Sequence, residues 1–165
     1  MNALIIGRFQ PFHNGHLKLI QSLIKEYDEI IIGIGSSQYS YTMNNPFSAE
    51  ERTKMIEQSL LDAKISNFRV VNIPDIHEYP KWVDHVLIIV SDFDVVISNN
   101  ELTQELFSAK GFQVKTTPLF QKKEWSGRKI RQRMYEGKTW KMFVPPSVYE
   151  LITSIHGVQR IQHLT

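Results

Sequence analysis

Five short apolar runs alternate with longer stretches of helical periodicity, and this alternation limits what the chain can fold into more than any other feature. The runs are ALIIG (3–7), EIIIGIG (29–35), FRVVNI (68–73), DVVIS (94–98) and FQVKTT (112–117). Most are continuous and rich in β-branched residues, the pattern of strands covered on both faces. Between them, NGHLKLIQSLIKEY (14–27) carries Leu17, Ile20 and Ile24 at helical spacing. SAEERTKMIEQSLLDA (48–63) opens with Ser48 and has Glu51 three residues later, a capping box. KWVDHVLIIVS (81–91) follows Pro80, and NELTQELFSAKG (100–111) ends at a glycine. The alternation predicts an α/β fold: a doubly wound, parallel, five-stranded sheet with helices on both faces. From Ser126 to about Ile155 the pattern reads as two helices flanking Gly137 and the prolines at 145 and 146, a C-terminal helical segment. With 165 residues, 42% of them hydrophobic, and no repeat or linker, one domain spanning 1–165 is expected. A chain of this length buries a core without disulfide or metal staples.

Composition excludes several chemistries. There is no cysteine, so disulfides, thiolate zinc sites and cysteine nucleophiles are ruled out, which fits a reducing compartment. No run approaches the ~18 apolar residues of a membrane span. NALIIG, with no basic region before it, does not read as a signal peptide. A cytoplasmic protein with no membrane partner is expected. The net charge of +2 is too small to imply nucleic acid. Its distribution says more: eight of the 19 Lys and Arg fall between Lys122 and Lys141, against Glu124 and Glu136. A local cationic patch suggests a local anion, the alternative being a solvated basic helix.

Ligands of doubly wound sheets bind beyond the carboxyl ends of the strands, so the strand-to-helix turns are where chemistry is expected. The first of these is GRFQPFHNGH (7–16). It leads into a helix starting near Asn14, whose first turn offers unpaired N–H groups and the positive end of the dipole. Gly15 leaves room for a ligand to approach. His13 and His16, at i and i+3, share one turn and can donate to phosphate oxygens, with Arg8 adding a fixed charge. Packed or surface histidines are the plain alternative. Zinc lacks an obvious third ligand here.

GRFQPFHNGH matches the first signature of the nucleotidyltransferase superfamily, Gly-x-Phe-x-x-x-His-x-Gly-His. WSGRKIRQRM (125–134) resembles the superfamily's late signature, Ser-Ser/Gly-Thr-x-Ile/Val-Arg, at a helix start. There Ser126 can cap the helix, Ile130 and Met134 form a buried stripe, and Arg131 stands at the motif's arginine. Arg128 stands where a threonine is usual; it either replaces that hydroxyl contact or points to solvent. The resemblance implies a Rossmann-like fold that transfers a nucleotidyl group from a nucleoside triphosphate. Across nearly its whole length the chain looks like the archaeal-type nicotinamide-mononucleotide adenylyltransferases. The stretches GIGSSQYS (33–40), NPFSAEER (45–52), IPDIHEYPKWV (73–83), PLF (118–120) and GVQRIQHL (157–164) carry that resemblance.

That family implies ATP plus nicotinamide mononucleotide giving NAD and pyrophosphate, with nicotinate mononucleotide as a second acceptor. It also implies a homo-oligomer, often a hexamer, and Mg²⁺. On this reading Gly7, Arg8, Phe9, His13, Gly15, His16, Ser126, Gly127, Arg131 and Arg133 bind ATP, and His13, His16, Arg8 and Arg131 are the catalytic group. Ser36, Ser37, Phe47, Arg52, Asp75, Ile76 and Trp82 form the mononucleotide side. Trp82 would stack on the pyridine ring while Asp75 reads the amide; a core tryptophan is the alternative. Arg52 either reaches a phosphate or pairs with a helix carboxylate. Asn44 and Tyr79 depart from the family, whose members tend to carry arginine and asparagine there.

The expected chemistry is a single in-line displacement without a covalent intermediate. No carboxylate cluster presents itself, so Mg²⁺ would be held mainly by phosphates and water, with no metal ligand from the protein. Two rivals remain. One is another nucleotidyltransferase, acting on phosphopantetheine or a phosphorylated alcohol. The other is an RNA-binding module built on 122–141, where Trp125, Tyr135 and Trp140 interleave with the basic residues.

Overall fold

The computed structural model describes residues 1–117 and 125–164. Five strands, β1 (Asn2–Gly7), β2 (Glu29–Gly35), β3 (Phe68–Ile73), β4 (Val95–Ile97) and β5 (Gln113–Lys115), form one sheet in the order β3-β2-β1-β4-β5. Every pairing is parallel. The order reverses between β1 and β4, so a crevice opens beyond their carboxyl ends.

Helices α1 (Asn14–Leu23), α2 (Ala49–Asp62), α3 (Tyr79–Ile89), α4 (Glu101–Ala109), α5 (Gly127–Tyr135), α6 (Pro146–Ser154) and α7 (Gly157–His163) cover the sheet. Successive strand side chains point to opposite faces and feed two cores. Ala3, Ile5, Ile30, Ile32 and Ile34 join α1, α2, α5, α6 and α7 through Ile20, Met55, Ile130, Ile152 and Ile161. Leu4 and Ile31 pack the other way, against Val83 and Val86 of α3 and Phe107 of α4. The sheet is thus wound on both sides, as the continuous β-branched runs predict. No helix among the described residues is long and apolar enough to cross a membrane.

β4 and β5 are shorter than the runs 94–98 and 112–117, and the helices differ from expectation in three further ways. α1 ends at Leu23 rather than running to 27, because Tyr27 turns back into the core. α3 begins two residues early, at Tyr79, with Pro80 in its first turn, where a missing N–H costs nothing. α7 is an addition to the two C-terminal helices expected. His156 adopts a left-handed conformation (φ 55°, ψ 42°) between α6 and α7, a break that a non-glycine residue conceals in the sequence. Gly157 is then essential to the packing, since a Cβ there would lie 2.8 Å from Ile152 Cγ2. PLF (118–120) and Lys122 and Lys123 of the basic stretch lie outside the described residues.

Candidate active site

The turn after β1 is built around a buried glutamine that sequence reasoning did not single out. Gln10 Nε2 donates to the Phe47 carbonyl, and the Phe47 N–H donates to Gln10 Oε1, both at 2.9 Å. The Gln10 carbonyl accepts from Arg131 Nη1 at 2.7 Å. One residue therefore joins the first motif to the loop before α2 and to α5. Phe9 has a positive φ of 54°, and its ring fills the space beside Gly7. A Cβ on Gly7 would lie 3.1 Å from that ring.

His13 and His16 form a capping box with imidazoles in place of the usual hydroxyl and carboxylate. The Gly15 N–H donates to His13 Nδ1, and the His13 N–H donates to His16 Nδ1, each at 3.1 Å. Both Nδ1 atoms are acceptors, so each neutral ring carries its proton on Nε2. The rings stack with centroids 3.6 Å apart, and His16 also lies against Phe9 and Phe12. Burial pushes the His13 pKa down to about 4. Burial, and then the charge His13 would carry, push His16 well below the ordinary histidine value. At neutral pH the pair presents two N–H donors and no net charge.

This arrangement has a measurable cost in acid. His13 is only 7% exposed. Above pH 6.5 it is neutral in both the folded and the unfolded chain, so it does not alter stability. Between pH 6.5 and about 4 the unfolded chain takes up a proton that the folded one refuses, and stability falls as pH falls. At about 1.4 kcal/mol per pH unit, the loss approaches about 3 kcal/mol at the lower end. Urea unfolding of the ligand-free protein is expected to show at least this slope, because His16 adds to it, and His13→Gln is expected to reduce it. Equal slopes would contradict the buried neutral state.

A cavity of about 440 Å³ opens beyond the carboxyl ends of β1 and β4, lined by Gly7, Phe9, His16, Ser98, Asn99 and Asn100. None of the last three is among the expected site residues, although SNN follows directly on the end of β4. Asn100 caps α4 through the Thr103 N–H, and Asn99 binds both the carbonyl and the N–H of Thr117.

On α5 the expected stripe is present: Ile130 and Met134 are wholly buried. Ser126 Oγ caps the helix by accepting the Lys129 N–H. Arg131 is only 9% exposed. Burial, followed by the charges of Arg8 and Arg128, brings its pKa down to about 10. A Cβ on Gly127 would lie 3.0 Å from Arg131 Nη1 and 3.2 Å from the Gln10 carbonyl oxygen, so the helix start is packed onto the first motif. Arg133 Nε donates to the Thr139 carbonyl and its guanidinium lies over Phe143. The carbonyl next to Phe143, that of Met142, accepts from Asn14 Nδ2 at the start of α1.

The second set of expected residues divides. Asp75 pairs with Gln38 in both directions: its N–H donates to Gln38 Oε1, and its carbonyl accepts from Nε2. These bonds bring the loop after β2, with Ser36 and Ser37, onto the loop after β3. Trp82 is half-buried and edge-on to Phe107, with centroids 5.6 Å apart. Its free side lines a cavity of about 90 Å³ shared with Asp75, Glu78, Tyr79 and Leu102. Ile76 is half-buried nearby in sequence but does not line that cavity.

Arg52 and Phe47 need correction. The Arg52 side chain has no exposure. Its five N–H donors reach the carbonyls of Ser48, Arg8, Gly35, Ser36 and Tyr39. All of its donor groups are thus engaged by main-chain carbonyls, which leaves none to offer a phosphate or a helix carboxylate. Phe47 is likewise fully buried, wedged against Gly157. Both residues hold the walls of the site and do not face its interior.

By sequence, residues 4–133 match the cytidylyltransferase-like family. The chain is 45% identical over 165 residues to the nicotinamide-nucleotide adenylyltransferase of Picrophilus torridus, covering 100% of this chain and 98% of that one. It is 45% identical over 163 residues to the nicotinamide-nucleotide adenylyltransferase of Thermoplasma acidophilum, covering 99% and 91%. Its structure resembles a bifunctional NMN adenylyltransferase/ADP ribose pyrophosphatase from Francisella tularensis complexed with AMP and a Mn ion. The TM-score is 0.81 at 25% identity, and the match covers 97% of this chain and 51% of that one. This chain therefore spans about half the length of that bifunctional protein.

Proposed function

The chain belongs to the cytidylyltransferase-like family, and on that premise we propose that it transfers the adenylyl group of ATP to nicotinamide mononucleotide, giving NAD and pyrophosphate. The reading rests above all on one observation: the turn after β1 that ends in the two-histidine capping box also carries the Gln10 carbonyl that accepts from the buried Arg131 of α5. Its specificity for this acceptor draws support from the full-length similarity to the two archaeal nicotinamide-nucleotide adenylyltransferases.

The reaction is a single displacement. An oxygen of the mononucleotide phosphate forms a bond to the α-phosphorus of ATP. The bond from that phosphorus to the bridging oxygen breaks, and pyrophosphate leaves with the electron pair. The attacking phosphate is already ionised, so the protein supplies no base. Its residues position two anions and stabilise the charge that develops on the leaving group. His13 and His16 serve as Nε2–H donors, and Arg8, Arg131 and Arg133 serve as fixed cations toward the triphosphate. Gly7, Phe9, Gly15, Ser126 and Gly127 shape its cradle. Among the described residues no three carboxylate or imidazole groups cluster to hold a cation. On this reading Mg²⁺ would come with the substrate, held mainly by the ATP phosphates and water. Ser36, Ser37, Asp75, Ile76 and Trp82 form the acceptor side. The protein acts as one domain in a homo-oligomer in the cytoplasm.

Mass detection of NAD after incubation with Mg·ATP and nicotinamide mononucleotide tests the assignment. Pyrophosphate release with phosphopantetheine or a phosphorylated alcohol, and none with the mononucleotide, would overturn the acceptor. Trp82→Ala is expected to raise KM for the mononucleotide about tenfold or more, the worth of one aromatic stacking contact of 1–3 kcal/mol, with kcat much less affected. An unchanged KM would remove Trp82 from the site.

A further inference from the structure

The exposed start of α5 carries a guanidinium, that of Arg128, to which the displacement gives no role. Arg128, Arg131, Gln132 and Tyr135 lie at i, i+3, i+4 and i+7, on one side of the helix. Together with Met43 and Asn44, from the loop after β2, they line a cavity of about 150 Å³. Among the described residues Arg128 has neither a hydrogen-bond nor an ion-pair partner. Arg8, Arg128 and Arg131 also lack a carboxylate partner there, and the charges of Arg8 and Arg128 both oppose the charge of Arg131. Three cations held near one another without a counter-charge are repulsive in the free protein, and an anion among them relieves that repulsion.

The opposite wall of the cavity is anchored. Arg160 of α7 donates to the Pro46 carbonyl at 2.9 Å and to both oxygens of Glu51 at 2.7 and 2.8 Å. Its guanidinium also lies 4.1 Å from the centroid of the Tyr41 ring. The loop that carries Asn44 is therefore fixed at both ends, by Tyr41 and by Pro46. A cleft with one rigid wall offering an amide, and another offering two guanidinium forks, suits a phosphoryl group, whose oxygens accept from planar donors in pairs.

We propose that Arg128 is a phosphate-binding residue. In the cleft between α5 and the loop after β2, it grips a phosphoryl group of one of the two substrates, with Arg131 behind it and Asn44 opposite. The proposal rests on the adenylyl-transfer reading, and it extends the triphosphate clamp by a residue that the late signature does not supply. The phosphoryl group comes either from ATP or from the acceptor mononucleotide, and steady-state kinetics separates the two.

Arg128→Ala is expected to raise KM for one substrate, and only that one, by about tenfold or more, the loss of one charge-assisted contact. Arg128→Lys recovers part of the loss. Lys129→Ala removes an exposed cation one residue away and is expected to leave both KM values unchanged. A selective effect on ATP places the triphosphate in the cleft, and a selective effect on the mononucleotide places the acceptor phosphate there. Arg128→Ala with both KM values and kcat unchanged would overturn the proposal. So would an equal loss in Lys129→Ala, which would mean a diffuse field and not a contact. Calorimetry with inorganic tripolyphosphate keeps the question open to test if the wild-type protein makes no NAD. In that event the functional reading fails, yet weaker tripolyphosphate binding by Arg128→Ala than by the wild type still supports the site. Equal binding still overturns it.

Discussion

His16→Ala is expected to lower kcat about 10²–10³-fold, the usual loss when one preorganised donor to a developing anion is removed. The two nitrogens of the ring have separate tasks. Nδ1 is occupied by the His13 N–H, so the proton sits on Nε2, the nitrogen free to donate to substrate. Burial keeps the ring neutral, so the donor is present throughout the neutral range. Alanine also removes half of the capping box, costing about 0.5–2 kcal/mol of stability. His16→Gln separates the two effects, because glutamine at this helical position can still accept the His13 N–H. Quenched-flow or steady-state kinetics on both variants should show the same large fall in kcat. A normal kcat with only a raised KM for ATP would refute the proposed role of His16.

Arg52→Ala is expected to destabilise the protein by about 3 kcal/mol or more, since each buried acceptor left without its donor costs about 1–3 kcal/mol. Five carbonyls lose their donor at once, and they come from the turn after β1, the end of β2 with its loop, and the start of α2. Burial, and then the nearby charge of Arg8, bring the Arg52 pKa down to about 10, so this side chain remains a cation at neutral pH. Arg52→Lys should rescue little, since an ammonium has three donors and no planar fork. Urea unfolding measures the loss. Had Arg52 been a substrate ligand, alanine would raise KM and leave stability near the wild-type value, so the two readings predict opposite results.

These two residues also show what the sequence reveals and what it conceals. The histidines were legible because a strand, a glycine turn and a helix start fix their surroundings within ten residues. The five strands were legible because parallel strands buried on both faces need uninterrupted apolar runs, and the capping box of α2 announced itself through Ser48 and Glu51. Arg52 was not legible: its partners are main-chain carbonyls, which have no letter in a sequence. The same holds for Gln10, whose partners lie at Phe47 and Arg131. Ser98, Asn99 and Asn100 reach the crevice only because the sheet order reverses between β1 and β4, and order is a property of pairing. α7 was hidden by a histidine in a conformation that usually calls for glycine.

The bonds of Gln10 set a condition on when the protein becomes competent. Its partners lie 37 residues away at Phe47 and 121 residues away at Arg131. A chain emerging during synthesis acquires both histidines almost at once, whereas the arginine arrives only after all five strands have been made. Contacts of such separation form late, because loop closure must precede them. A growing or truncated chain ending before α5 thus holds the first motif without its counter-half, and competence for adenylyl transfer becomes a property of the completed chain.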